Sequence, residues 1–330
     1  MNKTDFHLKG VDLYKFIMAM GVIAIHIASA DCTYGYWSAG IEWFIRLAVP
    51  FFFISSGYLI AIKMPVEAVE KEKYLRKRTK KVLKLFVYWI IIYLPVSIYF
   101  YARNGYSILY DISRYIGQLL VLGESKYAYP LWYLYSLSIV LFIYSVAVRW
   151  KNVENKLWVL YASIIFINWI SASDIIGSDI GAKILSILSL CTSRTLGGGV
   201  YVMTGVILAK TNFSHKRMLC IASICGSVVL FYCNLPFWEL CGGLALFLSA
   251  CEISSISSRI ANRLRVLSMW IYYLHMYVIV IMIYICRQLS CCMDIYFAYV
   301  TALTVVVLIS LILTYLQTRR GCGWLNRLVA

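Results

Sequence analysis

The chain has 330 residues, 62% of them hydrophobic and only 14% charged, with a mean hydropathy of +0.77. No soluble domain of that size hides so much apolar surface, so the composition excludes a soluble globular protein and points to an all-α polytopic membrane protein. The net charge of +16 does not point to nucleic acid. The Lys and Arg residues sit in short loops between apolar runs, as the positive-inside rule expects, and not in a basic domain or tail.

Windows of about 20 apolar residues mark spanning helices. Ten are expected, near 11–30, 41–62, 82–101, 130–149, 156–173, 194–210, 217–233, 235–252, 266–287 and 295–317. Two shorter amphipathic pieces, near 106–122 and 180–192, read as interfacial or re-entrant. Every second loop is basic, from Lys3 and Lys9 through the run at 63–81 to Arg319, Arg320 and Arg327. The alternate loops carry Asp31, Glu42, Asp111, Glu124, Asp174, Asp179 and Asp294. This alternation supports the count and puts both termini in the cytoplasm. No linker, repeat or soluble segment interrupts residues 1–330, which are expected to form one membrane domain.

The first span holds Asp12, Lys15 and His26. At about 100° per residue, the eleven-residue step from Lys15 to His26 is close to three full turns. The two therefore share one helix face, roughly 16 Å apart along the axis. Ionisable groups within a membrane are costly and usually face a polar cavity; a snorkelling Lys and a hydrogen-bonded His are the plainer alternative. This segment also imitates a signal peptide ending at Ala28-Ser29-Ala30, but its charged residues break the apolar core that cleavage requires, so no cleavage is expected.

In the second span, Pro50 and Ser55-Ser56-Gly57 either loosen the helix near a ligand or serve as a small-residue packing site. The following run, Lys71 to Lys84, places Arg78, Lys81 and Lys84 on one face if the third helix has begun there. That face suits a phosphate-bearing ligand or anionic lipid head groups. Pro130-Leu131-Trp132-Tyr133-Leu134 opens the fourth span, where interfacial aromatics are common. Arg194 precedes Gly197-Gly198-Gly199, which permit close helix approach or a break. In the ninth span, Tyr272-Tyr273-Leu274-His275 puts a second His near mid-membrane, with Tyr272 on its side.

The 11 cysteines lie mostly within apolar segments and behave as small buried hydrophobes. Cys32, Cys291 and Cys292 fall in loops expected outside and could pair. No CxxC or His/Cys spacing suggests a metal site, and no Gly-x-Ser-x-Gly elbow is present.

Taken in series, these elements resemble the acyltransferase 3 family of bacterial inner-membrane proteins. They are Asp12-x-x-Lys15-x10-His26, Phe51-Phe52-Phe53-Ile54-Ser55-Ser56-Gly57-Tyr58, Arg78-x-x-Lys81, Leu131-Trp132-Tyr133-Leu134, Arg194 before a glycine-containing helix, and Tyr272-Tyr273-Leu274-His275. The likeness covers essentially the whole chain.

The resemblance implies a multi-pass inner-membrane transferase for groups other than aminoacyl groups. It would carry acetyl or another acyl group from cytoplasmic acyl-CoA, used as donor substrate with no resident cofactor, to hydroxyls of a cell-surface glycan or its lipid-linked precursor. His26 takes the catalytic place and Lys15 its paired cation. Arg78 and Lys81 take the acyl-CoA-binding place, with Asp12, Ser56, Trp132, Arg194, Tyr272 and His275 in support. Two departures stand out. Lys81 replaces a common Arg, which removes bidentate phosphate binding but not charge, and Tyr129-Pro130 replaces a common His before Leu-Trp. No soluble partner domain lies within these residues, so delivery of the acceptor is expected from elsewhere. A branch of the family fused to racemase domains keeps the alternative of a transporter, for a polysaccharide precursor or a small polar solute such as an amino acid. The Lys15/His26 pair would then be a relay.

Overall fold

The structure, a computed structural model, describes residues 8–102, 107–172, 189, 191–211, 216–319 and 323–329. In chain order its main helices are α1 (Lys9–Ile27), α2 (Ala39–Arg46), α3 (Ala48–Ala61), α4 (Ala68–Ala102), α5 (Ile108–Leu122), α6 (Trp132–Ala147), α7 (Val153–Ala172), α8 (Gly199–Lys210), α9 (Lys216–Tyr232), α10 (Trp238–Glu252), α11 (Ser258–Gln288) and α12 (Ile295–Leu316). Two short strands, β1 (Thr33–Tyr34) and β2 (Met293–Asp294), pair in parallel.

Six stretches among the described residues are long and apolar enough to cross a membrane: Lys9–Ile27, Ala39–Ala61, Ala68–Tyr101, Tyr129–Ala147, Ser258–Gln288 and Ile295–Leu316. The other four expected spans are helical but do not meet both conditions. α8, α9 and α10 have 12, 17 and 15 residues, short of the roughly 20 that a bilayer core requires. α7 is long enough, but it opens on the polar Glu154-Asn155-Lys156. The amphipathic piece expected near 106–122 is α5; the one expected near 180–192 lies almost entirely outside the described residues.

Local chemistry explains the boundaries. The second span breaks at Leu47 because Pro50 has no N–H to give the carbonyl of Arg46, four residues back. α11 and α12 start where Ser257 and Asp294 accept bonds from the exposed N–H groups of Ile260 and of Tyr296 and Phe297. α5 ends at Gly123, whose φ of 67° is left-handed. Of the basic run expected as a loop, Lys63 does precede the helix, whereas from Ala68 onward it forms the first turns of α4. Its charges are laced by Glu72, which pairs with Arg76 at 3.0 Å and Arg149 at 2.9 Å.

The chain divides into two compact units. The first comprises Met1–Phe52, Lys216–Gly226 and Cys241–Ala330. Here α1 packs along α11, and α12 lies against both. Val11, Met18, Val22 and Ala19, Ile23, Ile27 recur at helical spacing on the buried side of α1. Ile271, His275, Ile279, Met282 and Cys286 form the matching stripe on α11.

The second unit comprises Phe53–His215 and Ser227–Leu240. α4 packs on α6 and α7 on α8. α3 and α8 meet backbone to backbone: a Cβ on Gly57 would lie 2.1 Å from the Val202 carbonyl oxygen, and one on Gly205 2.1 Å from that of Ile54. Of the two roles open to Gly57 in the sequence, the structure displays small-residue packing. Gly198 and Gly199 likewise lie under the rings of Phe53 and Tyr161.

Candidate functional site

The first unit brings Asp12, Lys15, His26, Tyr272 and His275 onto two adjoining helices. α1 is unbroken from Lys9 to Ile27, so Lys15 and His26 keep the shared face that their spacing predicts. Asp12 is buried, one turn before Lys15. The charges acting on Lys15 are the Asp12 carboxylate and the Arg265 guanidinium of α11.

His26 sits in the last turn of α1, where backbone carbonyls lack helical partners. Two neighbours fill that gap. The Thr33 hydroxyl donates to the carbonyls of Ile27 (3.1 Å) and Ala30 (2.9 Å), and the Trp37 indole N–H donates to that of Ala24 (3.1 Å). Trp37 is itself held edge-on by Tyr296 and Tyr299 at 5.0 and 5.7 Å. The helix end that carries His26 is therefore tied down on both sides.

His26 is half-buried and its ring lies 5.2 Å from that of His275, centroid to centroid, with 32° between the planes. His275 is wholly buried. Its Nδ1 lies 3.1 Å from the carbonyl oxygen of Ile271. A carbonyl only accepts, so Nδ1 carries the hydrogen, and in the neutral ring Nε2 holds the lone pair. That Nε2 is buried without a hydrogen-bond partner among the described residues. Tyr272 stands 6.3 Å from the His275 ring, on the expected side.

The second unit gathers Ser56, Trp132 and Arg194. Ser56 Oγ and the Tyr133 hydroxyl are 2.8 Å apart. Phe53 packs on Trp132 at 5.8 Å and on Tyr133 at 4.5 Å. The Arg194 guanidinium lies 5.2 Å over the Trp132 ring and 3.7 Å from Glu124, combining a cation–π contact with an ion pair. Arg78 and Lys81 belong to the same unit but lie on successive turns of α4. Arg78 is half-buried over the Tyr74 ring at 5.1 Å, and Lys81 is exposed.

Glu124 was visible in the sequence only as a loop charge. Nothing in its surroundings there marks it, because its partner Arg194 is 70 positions away. It borders a cavity of about 290 Å³ together with Tyr101, Arg114, Gln118, Lys126 and Tyr129. Cations, a carboxylate, an amide and aromatic faces thus line one space, with the Lys126 ammonium 4.9 Å over Phe100.

Burial pushes the Glu124 carboxyl above its ordinary value of 4.5, while the Arg194 charge pulls it down. The folded state therefore holds this proton more tightly than the unfolded chain. Below the ordinary value both states are protonated and burial costs nothing. As pH rises through it the unfolded chain releases its proton first, and stability falls until the folded group ionises too. Glu124→Gln is expected to match the native protein in acid and to gain thermal stability relative to it as neutrality is approached. A pH-independent difference in Tm, followed in detergent, would show that burial of this carboxyl is not the cause.

Among curated proteins, the chain is 28% identical over 174 residues to an "Amino-acid racemase" of Enterococcus faecalis, covering 51% of this chain and 22% of that protein. It is 31% identical over 128 residues to a "Serine/alanine racemase" of Enterococcus gallinarum, covering 38% of this chain and 17% of that one. The chain thus spans about a fifth of the length of these relatives. No solved structure matches it. The model of the acyltransferase 3 family, an acyltransferase domain, matches residues 8–318. Apolar helices of spanning length and a family match that takes in nearly every residue lead to one assignment: this chain belongs to the acyltransferase 3 family of membrane proteins.

Proposed function

We propose that the chain takes an acyl group, acetyl first, from cytoplasmic acyl-CoA and passes it to a hydroxyl of a cell-surface glycan or lipid-linked precursor. Its setting is the bacterial inner membrane, with both termini in the cytoplasm. The observation that carries the reading is the pairing of a half-buried His26 with the buried His275. In this scheme His275 Nε2, which has no partner among the described residues, takes the N–H of His26 once that ring, 5.2 Å away centroid to centroid, turns toward it, and the imidazole is then held with its other nitrogen toward the substrate. His26 then removes the acceptor hydroxyl's proton as its oxygen attacks the thioester carbonyl. The C–S bond breaks, the proton goes to the CoA thiolate, and an ester and free CoA remain. His275 touches no reacting atom in this scheme and is a positioning residue. Lys15, one shared face away, supplies a cation along the route of the pantetheine arm. Arg78 and Lys81 hold the CoA phosphates by charge. The cavity beside Glu124 offers the hydroxyl-binding groups and aromatic faces that a glycan needs.

The test is to incubate purified protein with radiolabelled acetyl-CoA and envelope glycan acceptors. Label on the acceptor with stoichiometric release of CoA thiol is the expected result. No CoA binding and no label transfer would overturn the reading.

A second reading, movement of an amino acid, draws on the printed names of the two racemases and on the presence of both signs of charge around the Glu124 cavity. Uptake of labelled serine or alanine into vesicles carrying the protein, without acyl transfer, would favour it.

A further inference from the structure

Four cysteines that the acyl-transfer scheme does not use converge at one end of α1 and α11. The parallel pairing of Thr33 with Met293 and of Tyr34 with Asp294 sets Cys32 opposite Cys292, and the N–H of Met293 donates to the carbonyl of Cys32 at 2.9 Å. A tight turn through Ser290, at φ 49°, folds Cys291 back so that its N–H donates to the carbonyl of Cys286 at 3.0 Å. The Cys32 thiol lies within hydrogen-bonding reach of Cys286, and Cys286 within reach of Cys291. All four are free thiols. Cys32 and Cys286 are buried, whereas Cys291 and Cys292 are exposed. Among the described residues no three His, Cys, Asp or Glu side chains are grouped to hold a metal ion.

We propose that this cluster is a thiol–disulfide exchange site. Its exposed Cys291 receives oxidation from a small disulfide or a dithiol–disulfide oxidase, and its product is a buried Cys32–Cys286 bond. The steps balance. Cys291 thiolate attacks the disulfide R–S–S–R and expels one RS⁻. The Cys286 thiolate attacks the Cys291 sulfur of the mixed disulfide and expels the second RS⁻, giving a Cys286–Cys291 bond. Cys32 then attacks the Cys286 sulfur and returns Cys291 to its thiolate. Two thiols are oxidised, one external disulfide is reduced to two RSH, and no other reactant is needed.

Geometry gives each residue its place in this order. Only Cys291 and Cys292 are open to an oxidant, and Cys291 is the one that Cys286 can reach. Cys286 lies eleven residues beyond His275 on the same face of α11, roughly 16 Å along the axis. Cys32 lies six residues beyond His26. The bond would staple together the ends of the two helices that carry the imidazole pair. In the topology proposed above this end faces outward, where disulfides persist.

The experiment needs no activity, so its outcome is separate from the fate of the acyl-transfer reading. Purified full-length protein in detergent is treated with oxidised glutathione, quenched with a maleimide and mapped by mass spectrometry without reduction. A peptide linking Cys32 to Cys286, lost on adding dithiothreitol, is the expected result. Cys291→Ser should slow its formation several-fold, and Cys32→Ser should leave the Cys286–Cys291 bond as the end product. Glutathione adducts or a Cys291–Cys292 bond, with no Cys32–Cys286 peptide from the native chain, would overturn the proposal. Equal rates in native protein and Cys291→Ser would overturn the relay.

Discussion

His26→Ala is expected to lower acyl transfer from acetyl-CoA by roughly a hundredfold to ten-thousandfold, the usual contribution of a positioned general base. The loss should fall on kcat, because in the proposed scheme the ring acts on the acceptor hydroxyl and not on the CoA phosphates. Folding should survive the change. His26 is half-buried, and the end of α1 is held by Thr33 and Trp37 instead of by the imidazole. His275→Ala is expected to give a smaller loss and to move the pH profile of kcat, since it removes the acceptor that the proposed scheme gives His26. A purely structural role for His275 would lower the amount of folded protein and leave the profile of the survivors in place. Undiminished label transfer by folded His26→Ala would remove His26 from the chemistry altogether. That result would leave the family membership untouched and reopen the transport reading.

Much of this site was legible in the sequence because its parts repeat at helical intervals. Lys15 and His26 were placed on one face by their spacing alone, and α1 proves continuous between them. The link between His26 and His275 was not legible, because 249 positions separate two rings that lie 5.2 Å apart. The pairing of Arg194 with Glu124 was hidden for the same reason. Hydropathy and helix length part company in four of the ten expected spans. The windows near 194–210 and 235–252 are apolar, yet Gly197-Gly198 and Pro236 help confine the helices to Gly199–Lys210 and Trp238–Glu252. The reverse holds at 68–81, where charge density suggested a loop and the chain is helical. A helix tolerates that density when Glu70 and Glu72 neutralise Lys73 and Arg76 one turn away.

Gly57→Ala is expected to destabilise the protein by about 1–3 kcal/mol, and Gly57→Leu to leave little folded protein, as read by thermal unfolding and size exclusion in detergent. The sign is the informative part. In an ordinary helix interior the same glycine-to-alanine change is stabilising by up to about 1 kcal/mol through backbone entropy. Gly117 on α5 supplies that control, because nothing lies within 4 Å of a Cβ built there. At Gly57 the new methyl would meet the Val202 carbonyl oxygen at 2.1 Å. The obstacle is backbone, so no side-chain rotation relieves it and α3 must move from α8. Between membrane helices no hydrophobic effect pulls the pair back together, since lipid tails are as apolar as the side chains. The displacement would also reach the site, because Ser56 and Phe53 stand on this helix against Tyr133 and Trp132. Gly57→Ala with a Tm at or above that of the native protein, alongside a neutral Gly117→Ala, would show that the α3–α8 crossing is looser than its backbone contacts require.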